Sequence, residues 1–223
     1  MRLLAIDTAS EACSVGVVSG DTPPVVRSEI IGRGHAEIVM RLIDEAMAAA
    51  GLAAENLDRI AVTVGPGSFT GLRIGIAAAR GLALVADKPA IGIGTLAVHA
   101  EAARNIVGAK PVMAVIDAGR GELYGALYAA DGSERTPPQA ASAQVFASLL
   151  SKDAVIAGSG ADLLIAALPM DVRADIAHRD RSPDVAALCR LALAATPQSS
   201  PPRPLYLRPP DAKPQDAARV ALR

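Results

Sequence analysis

The segment Gly65-Pro66-Gly67-Ser68-Phe69-Thr70-Gly71-Leu72-Arg73-Ile74-Gly75 decides the fold prediction. It follows an apolar run at 60–64 and leads into helix-forming residues that continue to about Ala86. A strand, a glycine-rich loop and a helix in this order can direct backbone N–H groups at an anion. The glycine spacing matches neither the P-loop nor the dinucleotide fingerprint, and no lysine lies between Arg59 and Asp87. The motif therefore predicts either an anion-binding loop or a loop whose glycines serve backbone geometry alone.

The composition is that of a globular protein without a strong charge. Hydrophobic residues make up 51% of the 223 residues, aromatic residues only 2%, and the net charge is −1. The core must therefore be built from Ala, Val, Leu and Ile. A protein that holds nucleic acid by itself usually has a basic excess or a basic stripe, and neither is visible before residue 203. This pattern argues against a stand-alone nucleic-acid-binding protein.

The two cysteines and the N-terminal residues indicate a cytoplasmic protein. Cys13 and Cys189 are far apart and form no CxxC pair, which is typical of reduced, buried thiols. Met1-Arg2 leads into a short apolar run that ends at Asp7, so we expect no signal peptide. No apolar stretch reaches 18 residues without a charge, so we expect no membrane span.

The order of predicted elements indicates an α/β fold. In the first half of the chain, the patterns predict strands at 3–6, 12–18, 25–31, 60–64 and 90–93 and helices at 35–50, 70–86 and 95–105. In the second half, they predict strands at 112–116, 123–128 and 154–157 and helices at 144–150, 161–167 and 184–195. No room exists for a helix between the first two strands, which excludes a generic doubly wound sheet.

Four segments together resemble the bacterial TsaB (YeaZ) family. The glycine-rich segment 65–75 with the AAARGLA run at 77–83 is similar to the family signature, and LLAIDTASEACSVGVV at 3–18 is similar to its opening strands. DAGRGE at 117–122 resembles its D-A-R-R-G-E segment, with Gly119 in place of an arginine. PLYLR at 204–208 resembles its terminal P-x-Y-L-R.

The resemblance and the element order agree on the fold. Three strands followed by helix–strand–helix–strand–helix form one lobe of the actin/sugar kinase/Hsp70-like fold. We expect a first lobe at 1–109, a smaller second lobe at 110–196 with fewer strands, and a proline-rich tail at 197–223. The composition of this tail predicts an extended, solvated segment.

The resemblance also implies a function. The chain would be a non-catalytic subunit of the machinery that makes threonylcarbamoyladenosine next to the tRNA anticodon, dimerising with and activating TsaD. A TsaE-like ATPase would dock at the junction of the two subunits, tRNA would bind through the complex, and the chain alone would form a homodimer. No cofactor would bind tightly to the chain alone, although ATP or ADP could lie at the junction.

Candidate nucleotide-binding residues leave a second function open. Actin-like ATPases and sugar kinases use an Asp after the first strand for the nucleotide's metal and phosphates, and here that position holds Asp7, followed by Thr8. Gly65, Gly67 and Ser68 complete the candidate set. The alternative for Asp7 is a carboxylate that caps its own turn. If these residues bind nucleotide, the chain is a stand-alone ATP-binding phosphotransferase or ATPase, with a second glycine turn at 157–161 in the other lobe.

Metal and peptidase chemistry have weaker support in the sequence. The H-x-x-x-H metal motif of TsaD falls, by an ungapped count, on Thr95 and His99, so only one of its histidines is present. One imidazole cannot hold a catalytic ion, and we expect no metal site. A glycoprotease-like peptidase would use Ser68 with His35, but no G-x-S-x-G elbow surrounds the serine.

The two long helices of the first lobe provide the expected partner interface. The helix at 70–86 is apolar nearly all round, and such a helix must be covered on both sides. Small residues at 75, 77–79 and 81 would allow a second helix to approach closely. The predicted interface residues are His35, Ile38, Val39, Leu42, Ile43, Ala46, Leu72, Arg73, Ile76, Ala79 and Arg80.

Overall fold

The computed structural model describes residues 1–197 and 200–208, which form two lobes with one five-stranded mixed sheet each. The strands are β1 (Arg2–Asp7), β2 (Ala12–Ser19), β3 (Val25–Ile30), β4 (Arg59–Gly65), β5 (Ala90–Gly94), β6 (Val112–Asp117), β7 (Glu122–Tyr128), β8 (Glu134–Ser142), β9 (Val155–Ala157) and β10 (Ile176–His178). The helices are α1 (His35–Ala49), α2 (Phe69–Ala86), α3 (Thr95–Val107), α4 (Ala143–Leu149), α5 (Ala161–Ala166) and α6 (Val185–Ala194), with a 3-10 turn at Ala54–Asn56.

The two sheets repeat one topology. The first has the strand order β3-β2-β1-β4-β5, antiparallel through β3, β2 and β1 and parallel through β1, β4 and β5. The second, in reverse, has the order β8-β7-β6-β9-β10 with the same directions. Each strand therefore has a counterpart in the other lobe, and the chain contains a structural repeat that its sequence does not reveal.

The second lobe has two strands that the sequence pattern missed. β8 contains Pro137 and Pro138, which a pattern search treats as breakers, but β8 is an edge strand where a missing N–H is tolerated. β10 has only three residues. The expectation of fewer strands was therefore wrong, whereas the short β9, α4 and α5 do make this lobe smaller than the first.

The last helix lies on the first sheet. Leu188 and Cys189 of α6 pack against Leu3 and Ala5 of β1 and Ala61 of β4 in one buried cluster. Its assignment to the second lobe, from sequence position alone, is corrected by this packing, since the chain crosses back after β10. The limits of the two lobes otherwise stay a prediction.

Helix α3 packs between the two sheets. Leu96 and Ala100 contact Val112 and Ala114 of the second sheet. Val98, on another side of the helix, packs with the first-sheet cluster. The helix therefore contacts both sheets and forms part of the junction between the two lobes.

Residues 200–208 do not form the solvated tail that their composition predicts. Pro202 is buried, and the N–H of Leu205 donates a 2.7 Å hydrogen bond to the carbonyl of Val64. Aromatic and guanidinium contacts further along hold the segment to both lobes. The remainder of the predicted tail, at 209–223, lies outside the described residues.

Candidate functional site

A cleft of about 260 Å³ lies between the lobes. Ser10, Ser68 and Thr95 line it from the first lobe, and Asp117 and Ser159 from the second. Sites for drug-sized ligands and cofactors commonly occupy about 300–1,000 Å³. The cleft by itself is slightly smaller than this range, and it shares Gly32 and Ser68 with a neighbouring cavity of about 610 Å³.

Asp7 is fully buried and does not line this cleft. Its Oδ1 accepts hydrogen bonds from the Thr63 hydroxyl at 2.6 Å and from the Ala9 N–H at 3.2 Å. Burial raises the pKa of the Asp7 carboxyl to about 6, although these two hydrogen bonds act in the opposite direction. The contacts fit a residue that orders its own turn, which is the alternative raised by the sequence.

The glycines of the decisive segment serve close packing against the turn between β1 and β2. A Cβ at Gly67 would lie 2.3 Å from the carbonyl oxygen of Ala9, and one at Gly71 would lie 2.0 Å from the carbonyl oxygen of Thr8. A Cβ at Gly75 would lie 2.2 Å from the Thr8 hydroxyl oxygen. Helix α2 therefore begins in contact with this turn, and Gly67, Gly71 and Gly75 are explained without a ligand.

Hydrogen bonds occupy the polar groups of the same contact. The Ser68 N–H donates to the Ala9 carbonyl at 2.7 Å, and the Thr8 hydroxyl donates to the Gly71 carbonyl at 2.8 Å. The Ser68 hydroxyl accepts the Gly71 N–H at 3.2 Å and so caps α2. Of the five candidate nucleotide residues, Ser68 alone lines the cleft, while Gly65 lies against the carbonyl of Leu205.

The glycine turn of the second lobe is packed in the same manner. A Cβ at Gly158 would lie 2.3 Å from the Val115 carbonyl oxygen, and one at Gly160 would lie 2.7 Å from the side chain of Leu123. The Ser159 hydroxyl accepts the Asp117 N–H at 3.1 Å. These glycines are therefore required for the approach of α5 to β6 and β7.

His99 and His178 form a buried pair beside α3. Their ring centroids lie 5.4 Å apart with the planes 25° from parallel. Neither ring nitrogen of His99 has a partner among the described residues, and burial lowers the pKa of this imidazole to about 3. Within residues 1–197 and 200–208, no group of three or more His, Cys, Asp or Glu side chains could hold a metal ion.

The geometry does not arrange His35 and Ser68 for hydrolysis. The buried His35 ring lies with Nε2 at 3.0 Å from the Ser10 carbonyl and 3.3 Å from the Ala12 carbonyl, so Nε2 carries a proton and donates it. His35 thereby anchors the start of α1 to the β1–β2 turn. The Ser68 hydroxyl is engaged in the helix cap.

Most of the predicted interface residues are core residues. Leu42 is 1% exposed and Ile76 is 4% exposed, because both face the first sheet. Burial contradicts the predicted interface position of eight residues, namely His35, Val39, Leu42, Ile43, Ala46, Leu72, Ile76 and Ala79. They form the apolar stripes by which α1 and α2 cover the sheet, so they cannot contact a partner. Ile38 is half-buried, and Arg73 and Arg80 are exposed.

The accessible side of α2 is largely apolar, whereas the accessible side of α1 carries Glu37, Arg41, Asp44 and Glu45 beside Met40. Met40 on α1 is 45% exposed, and Leu84 and Val85 on α2 are 83% and 84% exposed. Small or half-buried residues complete the surface of α2, namely Ile74, Ala77, Ala78, Gly81 and Leu82. We call these eight residues the α1–α2 face. The all-round apolarity of α2 signals such a surface, but the sequence does not mark which side is buried.

By length and composition alone, α2 could also cross a membrane. It is the one such helix in the described ranges. Its inner side packs into the core around β1 and β4, and its outer side carries Arg73 and Arg80. The packing accounts for the apolar composition of the inner side.

Comparisons with known proteins identify the family. Residues 26–172 match the family model described as TsaD, tRNA N6-adenosine threonylcarbamoyltransferase. The crystal structure of YeaZ from Pseudomonas aeruginosa superposes with a TM-score of 0.78 at 30% identity, over 92% of this chain and 99% of that chain. The chain belongs to the TsaB (YeaZ) family. The resemblance found in its sequence is thereby confirmed.

The alignment with a named TsaB relative covers only about half of that relative's length. The tRNA threonylcarbamoyladenosine biosynthesis protein TsaB of Escherichia coli (strain K12) is 43% identical over 131 residues, which are 59% of this chain and 56% of that protein. The chain thus spans about half the length of the curated relatives it matches.

A distant structure supports the fold alone. The activator of 2-hydroxyisocaproyl-CoA dehydratase from Clostridium difficile, solved with bound ADPNP, superposes with a TM-score of 0.51 at 12% identity. Together with the two repeated sheets, this confirms the two-lobed actin-like fold.

Proposed function

We propose that this TsaB-family chain is a non-catalytic subunit of the complex that makes threonylcarbamoyladenosine in tRNA, where it pairs with and activates a TsaD-like subunit. The name of the E. coli relative and the TsaD family match support the pathway. The exposed α1–α2 face is the observation that carries the pairing.

The match to the TsaD family indicates what covers this face. The matched region includes α1 and α2. A related subunit with the same first-lobe helices would present a similar face, and the two helix pairs would pack as a four-helix layer. Gly81 and Ala77 would let the helices approach closely, and Val85 and Met40 would be removed from water. A stable pairing of this kind is expected to bury roughly 2,000 Å² or more. In the absence of the partner, the same face would pair with a second copy of this chain.

The packing of the interlobe cleft supports an accessory role. A site that turns over ATP needs room for phosphates, a metal and an accessible carboxylate. Here the cleft is small, Asp7 is buried, and the glycine-rich loop is closed against Thr8 and Ala9. The reaction would take place on the TsaD-like subunit, with the chain alone holding no tightly bound cofactor. ATP or ADP, a TsaE-like ATPase and tRNA would bind at or through the junction, in the cytoplasm.

Reconstitution tests this function. The chain is co-purified with the TsaD-like subunit of the same organism, and threonylcarbamoyl transfer to tRNA is measured with and without it. We expect a complex and a reaction that depends on both proteins. Turnover by this chain alone would favour the ATPase or peptidase alternatives. Calorimetric titration with ATP–Mg²⁺ separates these alternatives, since an active ATPase of this fold binds the nucleotide without a partner.

A further inference from the structure

The segment 200–208, which we call the C-terminal strap, runs along the first lobe and ends on the second. Pro202 lies against Gly92 of β5, and Leu205 is hydrogen-bonded to the end of β4. A Cβ at Gly65 would lie 2.8 Å from the Leu205 carbonyl oxygen, so a glycine there leaves room for the strap to pass.

Tyr206 anchors the strap to the start of α2. Its ring centroid lies 5.0 Å from that of Phe69, and its hydroxyl accepts a 2.9 Å hydrogen bond from Arg73 Nε. The Arg73 guanidinium lies 3.9 Å above the Phe69 ring. Three side chains from two distant parts of the sequence thus form one contact cluster on the first lobe.

Arg208 anchors the strap to the turn between β6 and β7 on the second lobe. Its guanidinium donates to the Ala118 carbonyl at 2.9 Å, forms an ion pair with Glu122 and lies 5.3 Å from the Tyr124 ring centroid. A planar guanidinium with several simultaneous acceptors is held in one orientation. The second-lobe end of the strap is therefore a specific contact.

The two anchors flank one rim of the interlobe cleft. Pro66 and Ser68, which line the cleft, lie between the Val64 and Phe69 contacts of the strap, and Asp117 precedes its Ala118 contact. We propose that the C-terminal strap is a lock that holds the lobes closed, and that release of Arg208 opens the cleft. The opposite rim is joined separately, by Ser10 with Ser182 at 2.8 Å and Glu11 with Arg181 at 3.5 Å.

Distance measurements across the cleft test the lock in the full-length chain. Spin labels are placed at two exposed positions, one in each lobe, by Asp21→Cys and Lys152→Cys. The native thiols will not compete, because Cys13 and Cys189 are buried and burial raises their pKa to about 11 and about 12. Labelled protein is diluted into unlabelled protein so that distances between copies do not contribute to double electron–electron resonance data.

A change of Arg208, the second-lobe anchor, gives the decisive variant. Arg208→Ala is expected to add a longer interlobe distance and to raise the open-to-closed ratio about tenfold, the factor for loss of one charge-assisted contact. Glu122→Gln, which alters the same contact from the other lobe, is expected to shift the ratio in the same direction by a smaller factor. Arg203→Ala is the matched control, since Arg203 is exposed on the strap and makes no ion pair with residues 1–197 or 200–208.

Hydrogen exchange provides a second measurement. In Arg208→Ala, the amide of Leu205, which donates to the Val64 carbonyl in the wild type, should exchange faster, while amides in β1 should be unchanged. If folded Arg208→Ala and Glu122→Gln both retain the wild-type distance distribution and exchange rates, the lock is wrong. If Arg208→Ala does not fold, the Glu122→Gln result decides alone.

Discussion

Gly71 and Thr8 are in direct backbone contact: the Thr8 hydroxyl donates a 2.8 Å hydrogen bond to the Gly71 carbonyl, and a Cβ at 71 would lie 2.0 Å from the Thr8 carbonyl oxygen. This contact joins the first turn of the longest helix to the turn after the first strand. Together with the contacts of Gly67 and Gly75, it explains the glycine spacing of the 65–75 segment through packing within the chain.

Gly71→Ala is expected to lower the free energy of unfolding by about 2–3 kcal/mol, because the obstructing atom is backbone and cannot rotate away. Gly81→Ala is the control, since a Cβ there meets nothing within 4 Å and alanine favours a helix. It should raise stability by about 0.5–1 kcal/mol. Urea unfolding of both variants gives the comparison. Equal effects at the two positions would contradict the close contact.

The α1–α2 face gives a second prediction. Ala77→Arg and Gly81→Glu add bulk and charge at exposed positions of α2, so both variants should fold normally but lose pairing with the TsaD-like subunit or with a second copy. Ala166→Arg, exposed at the end of α5 in the second lobe, is the control. Sedimentation velocity measures the pairing. Wild-type pairing in both α2 variants would place the interface elsewhere.

Leu42→Asp and Ile76→Asp should behave differently from the α2 surface variants. Both positions are in the core against the first sheet, so a buried, unpaired carboxylate should unfold the chain or destabilise it by about 4 kcal/mol or more. Circular dichroism and thermal unfolding distinguish this from a loss of pairing in a folded protein. Folded, unpaired monomers of these variants would show that the two side chains face outward.

Sequence patterns predicted the elements better than they predicted which sides of the helices are exposed. The first-lobe strands and α1 to α3 have clear apolar runs or helical spacing, and all of them are present. The accessible side of α2 was difficult to predict, because apolar residues surround the helix and only Thr70, Arg73 and Arg80 mark its outer side. The Tyr206–Phe69 contact joins residues far apart in the chain, and local periodicity carries no information about it. Pro137 and Pro138 obscured β8 for a related reason, since only the finished sheet shows that it is an edge.

Asp7 predicts a pH dependence at the acid end. The pKa of Asp7 is about 6 in the folded chain, against an ordinary value of 3.8 for an aspartate, so the folded state binds more protons between these values and stability falls as pH rises through them. Asp7→Asn cannot titrate and should lack this decrease. The stability difference between the variant and the wild type should grow in favour of the variant by about 2 kcal/mol from pH 4 to pH 7. Urea titrations of both proteins at each pH measure this difference. A difference that does not change with pH would contradict the raised pKa of the Asp7 carboxyl in the folded chain.

His99 contributes a pH dependence of stability with the opposite sign. The pKa of His99 is about 3 in the folded chain, against an ordinary value of 6.5 for a histidine, so the unfolded state binds more protons and stability is lost as pH falls below 6.5. His99→Leu removes the two unpartnered nitrogens and should lose less stability than the wild type, by about 3 kcal/mol, between pH 7 and pH 4. The neighbouring His178 and Asp180 remain in both proteins, so the comparison isolates His99. If the wild type and His99→Leu lose the same stability between pH 7 and pH 4, the burial of His99 is contradicted.

The central claim is that this chain supports a related catalytic subunit through the outer side of α2. The most direct test is the yield of threonylcarbamoyladenosine, measured by mass spectrometry of tRNA nucleosides, in reactions that contain the TsaD-like subunit with wild-type chain, with Gly81→Glu, or with no chain. We expect modification with the wild type and near-background yield in the other two reactions. Full modification with Gly81→Glu, or without the chain, would contradict it.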